Sequence, residues 1–259
     1  MKCTPEYFSH FSADGVRGQP LENKYVAYPA QYLEYARTDL KLGSDGRSRV
    51  NAFANAKRGL HCQIDILLVA LGIQRLRDKK YEFFPGKLEF LQQCGIVSPA
   101  ILRRINSIRN KLEHEYLVPS GEATDTCLDV VELFLAATAG LITFFPEQAD
   151  FADTKDRGQI HATLSLTLEQ GAGRLLAEWH CIDAKESVLK KQFKLECAHL
   201  RSGSGLSKLQ KESVKYDGVE SAAWHEVFRK HAIRGSKTVE IVDTEEFCSW
   251  VRILLSGAA

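Results

Sequence analysis

The sequence predicts an α+β fold: an all-α helical bundle over residues 28–146, then a small α+β unit over residues 158–259. Three observations predict it. Up to residue 146, apolar side chains recur three, four or seven positions apart between Pro and Gly punctuation, as in helices joined by short loops. Beyond it, apolar and polar residues alternate on both sides of "EQGAGR", a hairpin pattern. Helical spacing then returns in "VESAAWHEVFRKHA" and "TEEFCSWVRILL".

Residues 1–27 mix polar and aromatic side chains without a period and read as an irregular arm. "PAQYLEYARTDLKLG" opens on Pro29, spaces Tyr32, Tyr35, Ala36 and Leu40 for one helical face, and stops at Gly43. "GSDGRS" is a turn. The long "RVNAFANAKRGLHCQIDILLVALG" carries Phe53, Leu60, Ile64, Leu67 and Leu71 on its apolar face, with Gly72 as terminator. A "FFPGK" turn precedes the short helix "KLEFLQQCG". Ser98 as N-cap and Pro99 behind it start a further helix that runs to about Tyr116. "TDTCLDVVELFLAATAGLITFF" closes the bundle before Pro146. "EQADFADTKDRG" is expected to be a linker. The hairpin over "QIHATLSLTLEQGAGRLLAEWHC" supplies two strands, "LKKQFKLECAHL" a third and "KTVEIVD" a fourth.

Bulk properties narrow the function. The chain has 259 residues and a formal net charge of +1, so no whole-molecule field draws it to nucleic acid or to a membrane. Residues 151–259 hold 16 basic and 15 acidic side chains, so any nucleic-acid footprint must be a local patch. The seven cysteines are scattered, odd in number and without a CxxC pair, the pattern of reduced thiols rather than of a disulfide framework. His180 and Cys181 are adjacent on a strand, so they point to opposite faces and cannot readily share a metal with Cys197 and His199. No signal-peptide h-region and no run of 18 apolar residues is present, which leads to the expectation of a cytoplasmic protein without a membrane partner.

The chemistry-bearing stretch is "SIRNKLEHEYLVP" at residues 107–119. With about 100° per residue and Arg109 at zero, Ile101, Ile105, Ile108 and Leu112 fall in one stripe between about 260° and 320°. Tyr116, Arg109, Glu113, Asn106, Asn110 and His114 share the flank beside that stripe. Such a wedge suits phosphoryl transfer without a metal. A His can move the proton of a ribose 2′-OH, and an Arg can hold a phosphate oxygen and stabilise developing charge. Asn110, one turn before His114, can orient it. Arg109 and His114 are about 140° apart on the helix, so two copies facing across a two-fold axis close a site better than one. A plain ion pair of Arg109 with Glu113 would leave the same pattern.

"RNKLEH", Arg followed by four residues and then His with Asn directly after the Arg, resembles the signature of HEPN domains (higher eukaryotes and prokaryotes nucleotide-binding). With Tyr116, "RNKLEHEY" also resembles the form in HEPN toxins paired with minimal nucleotidyltransferase antitoxins. The likeness covers residues 28–146. It implies a metal-independent, cofactor-free endoribonuclease that acts as a homodimer on RNA through Arg109 and His114, with Asn110 in support and a cyclic phosphate as product. It implies a toxin–antitoxin or antiviral-defence setting, an antitoxin or regulatory partner, and Tyr116 as a position for modification. The extra residues 158–259 depart from the single-bundle toxins. A silent HEPN scaffold for interaction and a nucleotide-binding sensor are the alternative readings of the same wedge.

Two further groups join the candidate site. Asp65 sits inside the apolar "CQIDILLVALG", where a carboxylate is costly without a partner, and could meet Arg109 or His114 across the bundle. Residues 190–215 hold seven basic and two acidic side chains, making Lys190, Lys191, Lys194 and Arg201 the candidate RNA-tracking surface. A solvated strand edge blunted by lysine would look the same. Arg47, Arg49, Lys57 and Arg58 form a smaller basic patch on the bundle.

Overall fold

The computed structural model describes residues 4–43, 45–96, 118–155, 159–182, 186–203 and 206–257. Among these residues it is a mixed α+β molecule in which helices and one five-stranded antiparallel sheet share a continuous core. The helix expected from Ser98 to Tyr116 lies outside the described residues.

The helices form where apolar period and end signals agree. α2 (Pro29–Leu42) starts on Pro29, buries Leu33 and Ala36, and ends at Gly43. α3 (Gly46–Leu71) is capped by Asp45, whose carboxylate accepts from the Ser48 N–H at 2.9 Å. It ends at Gly72, whose φ of 83° lies in the left-handed region. α4 (Phe84–Gln93) takes in all but the first residue of "FFPGK", expected as a turn: Phe83 is its extended N-cap, and Pro85 sits in its first turn, where a missing N–H costs no helical bond. α5 (Gly121–Thr143) starts three residues ahead of the apolar run because Ser120 accepts from the Ala123 N–H at 3.1 Å. By length and composition α5 is apolar enough to cross a membrane. Here it packs on α3, where buried Gln63 donates to Thr138 Oγ1 at 2.6 Å and to the Leu135 carbonyl at 3.1 Å.

The sheet follows chain order, β1-β2-β3-β4-β5, each pair antiparallel. Three expectations are corrected. The arm holds a short helix, α1 (Pro5–Phe8), and an edge strand, β1 (Ser12–Gln19), paired with β2. The expected linker is β2 (Phe145–Lys155), an inner strand with Phe145, Ala149 and Phe151 buried. The expected third strand "LKKQFKLECAHL" is helical: α6 (Glu186–Ser202) buries Leu189, Cys197 and Leu200, a helical spacing, against α7 (Lys208–His231). The hairpin of β3 (Gln159–Glu169) and β4 (Arg174–Ile182) forms as expected, and β5 (Ala232–Glu240) and α8 (Thr244–Ser256) complete the chain.

Strand alternation gives the sheet one dry face. Ala162, Leu164, Leu166 and Leu168 of β3, with Leu175, Ala177 and Cys181 of β4, are buried. α8 covers that face with Phe247, Trp250, Val251 and Leu254, and Phe8 of α1 seals it with its ring 5.9 Å from that of Trp250. Opposite Trp179, β5 carries Gly235, where a Cβ would fall 2.4 Å from the indole.

The bundle and the sheet meet at two turns. The Gly171 N–H donates to the Ala70 carbonyl at 2.8 Å, and Gln74 Nε2 donates to the Gly171 carbonyl at 2.8 Å. A Cβ on Gly72 would lie 2.2 Å from the Gly173 nitrogen, and one on Gly173 would lie 2.6 Å from Ile241. Gly72→Ala is therefore expected to cost about 2–5 kcal/mol, left-handed strain plus a backbone collision. Gly203→Ala is the reference: its φ is 65° with nothing within 4 Å, so only strain of about 1–2 kcal/mol applies. Urea midpoints at unchanged slope measure both, and equal losses would refute the docking.

Candidate functional site

Lys57, Arg58, His61 and Asp65 fall within about 100° on α3, beside the buried stripe of Leu60, Ile64 and Leu67. α2 crosses α3 at Gly59, where the Pro29 carbonyl oxygen stands 2.8 Å from the site of a Cβ. That close crossing brings Tyr32 of α2, and Tyr25 from the segment before it, against the polar face. Between them lies a cleft of about 360 Å³, with Tyr25 and Tyr32 on one wall and Lys57, Arg58, His61 and Asp65 on the other. A second cavity of about 220 Å³ shares His61 and Asp65 and continues to Phe83 and Lys87.

The groups are held in place. Asp65 Oδ1 accepts from Lys87 Nζ of α4 at 2.7 Å, and both side chains are about one-third exposed (32% and 27%). The His61 imidazole stacks on Phe84, 4.5 Å between centroids and 12° between planes. Arg58 Nη1 donates to Asn55 Oδ1 at 2.8 Å, and Asn55 Nδ2 donates to Asp39 at 2.9 Å. Burial, then the charge of Asp65, then Cys62, pushes the Tyr25 phenol up, so its hydroxyl remains a donor at neutral pH. Burial, then Asp65, likewise keeps the Cys62 thiol protonated. Asp65 is matched by Lys87, and Lys57 and Arg58 stand on the same side of the cleft, facing its aromatic wall.

The predicted site residues distribute as follows. Arg109, Asn110, His114 and Tyr116 lie outside the described residues. The partner of Asp65 among the described residues is Lys87, which meets the cost that a carboxylate in an apolar run incurs. Lys190, Lys191, Lys194 and Arg201 are all exposed on α6. A helix places Lys190, Lys194 and Arg201 within about 40° of one another, whereas a strand would send Arg201 to the opposite face. Acidic neighbours dilute the patch: Arg201 lies 4.0 Å from Glu220, and Lys230 is bound by Glu196 and Glu226. Cys197 and His199 are helical, and among the described residues no cluster of three His, Cys, Asp or Glu side chains is arranged for a metal.

Sequence reasoning missed Tyr25, Tyr32 and Lys87 as cleft residues. Gly59 in mid-helix was the available signal, since a helical glycine often marks close backbone approach. Comparison with protein-family models, with curated proteins and with solved structures finds no match to this chain.

The α6 cations carry a test of their own. If they track a phosphate backbone, replacing Lys190, Lys191 and Lys194 together by Ala lowers affinity for single-stranded RNA. The salt slope also flattens by about 0.7 per lost contact. Filter binding across a salt series measures both, and an unchanged slope would remove α6 from the RNA surface.

Proposed function

We propose that the protein is a metal-independent endoribonuclease of the HEPN kind that acts as a homodimer. The observation that carries this reading is the stretch Arg109–Asn110–(three residues)–His114–Glu115–Tyr116, with its apolar stripe and one polar flank. Two features of the fold support it: an antiparallel helical pair, α2 and α3, precedes the stretch, and α5 follows it against α3. A toxin–antitoxin or antiviral-defence role, and Tyr116 as a modified position, belong to the same reading.

In this mechanism His114 takes the proton of a ribose 2′-OH while Arg109 stabilises the pentavalent phosphate, giving a 2′,3′-cyclic phosphate and a free 5′-OH. Asn110 fixes the imidazole. In the same reading Asp65, which pairs with Lys87, meets Arg109 or His114 across the bundle and sets the protonation state of His114. The purified chain is expected to cleave RNA in EDTA. His114→Ala and Arg109→Ala should each cut the rate by about 10²- to 10⁴-fold, the share usual for one acid–base or charge-stabilising group. Sedimentation is expected to show a dimer for all three proteins. Cleavage that survives either substitution, or that ceases in EDTA, would overturn the proposal.

A further inference from the structure

Two thiols from distant parts of the chain touch in the core. Cys94 and Cys248 stand with their Sγ atoms 3.3 Å apart, 0% and 1% exposed, although 154 positions separate them in sequence. Both are fixed by their elements. Cys94 caps α4, its N–H donating to the Phe90 carbonyl at 3.0 Å. Gly95, at a φ of 78°, then turns the chain so that the Ile96 N–H donates to the Leu91 carbonyl at 3.0 Å. Cys248 lies in α8 among the buried Phe247, Trp250 and Val251. One turn on, Arg252 Nη2 donates to the Gln93 carbonyl at 2.7 Å, which ties α8 to the end of α4 beside the sulfurs.

The pair has few other uses. A metal needs more ligands, and among the described residues no third His, Cys, Asp or Glu stands with them. A disulfide bond is about 2.05 Å long, so the sulfurs have about 1.2 Å left to close between them. Burial, then the hydrogen bond to Cys248 and its charge, hold the Cys94 thiol well above the ordinary range, with Arg252 acting against them. Little thiolate is therefore present at neutral pH, and bulky reagents have no path to sulfurs so deeply covered. The oxidant that suits the site is a small uncharged hydroperoxide.

We propose that Cys94 and Cys248 form a reversible disulfide that locks α4 onto α8 when the protein meets hydrogen peroxide. This oxidation site does not rest on the ribonuclease reading. The Cys94 sulfur attacks one peroxide oxygen, the O–O bond breaks, and the other oxygen leaves as water with the thiol proton. The Cys248 sulfur then attacks the resulting sulfenic acid at sulfur, the S–O bond breaks, and a second water leaves with the Cys248 proton. Two thiols lose two electrons and one peroxide is reduced to two waters. A dithiol reductant reverses the bond by exchange.

The full-length chain is reduced, freed of reductant and treated with hydrogen peroxide. Remaining thiols are blocked with N-ethylmaleimide in urea, and tryptic peptides are mapped by mass spectrometry. One dominant linkage is expected, between the peptides that hold Cys94 and Cys248, and dithiothreitol should abolish it. The oxidised protein should melt roughly 4–16 °C above the reduced one, because the cross-link restrains the unfolded chain over a long loop. That gain should vanish in Cys94→Ala and Cys248→Ala and persist in Cys127→Ala. Where an alanine variant does not fold, the wild-type peptide map decides. Recovery of both thiols as maleimide adducts refutes the lock, as does sulfinic acid at either position without the linkage. A linked protein that melts no higher than the reduced one refutes it equally.

Discussion

The seating of the α3 C-terminus on the β3–β4 turn is the constraint on which the rest of the molecule depends. Gly72 and Gly173, both at positive φ, bring two chain reversals into backbone contact, and the Ala70 carbonyl and Gln74 amide tie them by hydrogen bonds to Gly171. No side chain fits between these backbones. A helix that is dry through Leu67, Leu68 and Leu71 thereby runs straight into a sheet that is dry through Leu164, Leu166 and Leu168, and the two cores become one.

That continuity explains the placement of the chain ends. α1 contributes Phe8 against Trp250 of α8, and β1 adds an edge to β2, so residues from both ends close over the same face. It also explains why α3 can carry polar chemistry at its middle. The helix is anchored below by the sheet and crossed above by α2 at Gly59, so Lys57, Arg58, His61 and Asp65 are displayed on a rigid element. Site chemistry on a packed helix holds its geometry better than chemistry on a loop, because neighbouring side chains lock the rotamers.

Legibility in the sequence tracked the strength of the local signal. α2, α3 and α8 were readable because period and end residues coincided: Pro29 and Gly43, Gly72, and the run Phe247–Trp250–Val251–Leu254. The β3–β4 hairpin was readable from strict alternation around a glycine-rich turn. β1, "SADGVRGQ", was not, since it has almost no apolar side chains and its order comes from backbone pairing with β2. β2 was obscured by Glu147, Asp150 and Asp153 among its buried residues, and by its register shift at Asp153. α6 misled because Phe193, Leu195 and Cys197 alternate locally, while Leu189, Cys197 and Leu200 hold the helical face that α7 buries. In the candidate site, Asp65 stood out as a charge in an apolar run, but its partner Lys87 lies 22 residues on and no spacing rule links them.

The sequence alone determined the α+β class, the helical periods, the glycine stops and the Arg–Asn–His–Tyr stretch, because each is a property of neighbours within a few residues. Tertiary structure alone decided that β1 and β2 are strands, that α6 is a helix, and that Tyr25, Tyr32, Lys57, Arg58 and Asp65 share one cleft. Those outcomes depend on which backbone pairs with an edge, which face a neighbour buries, and how closely two helices cross at a glycine. Such contacts act between residues far apart along the chain.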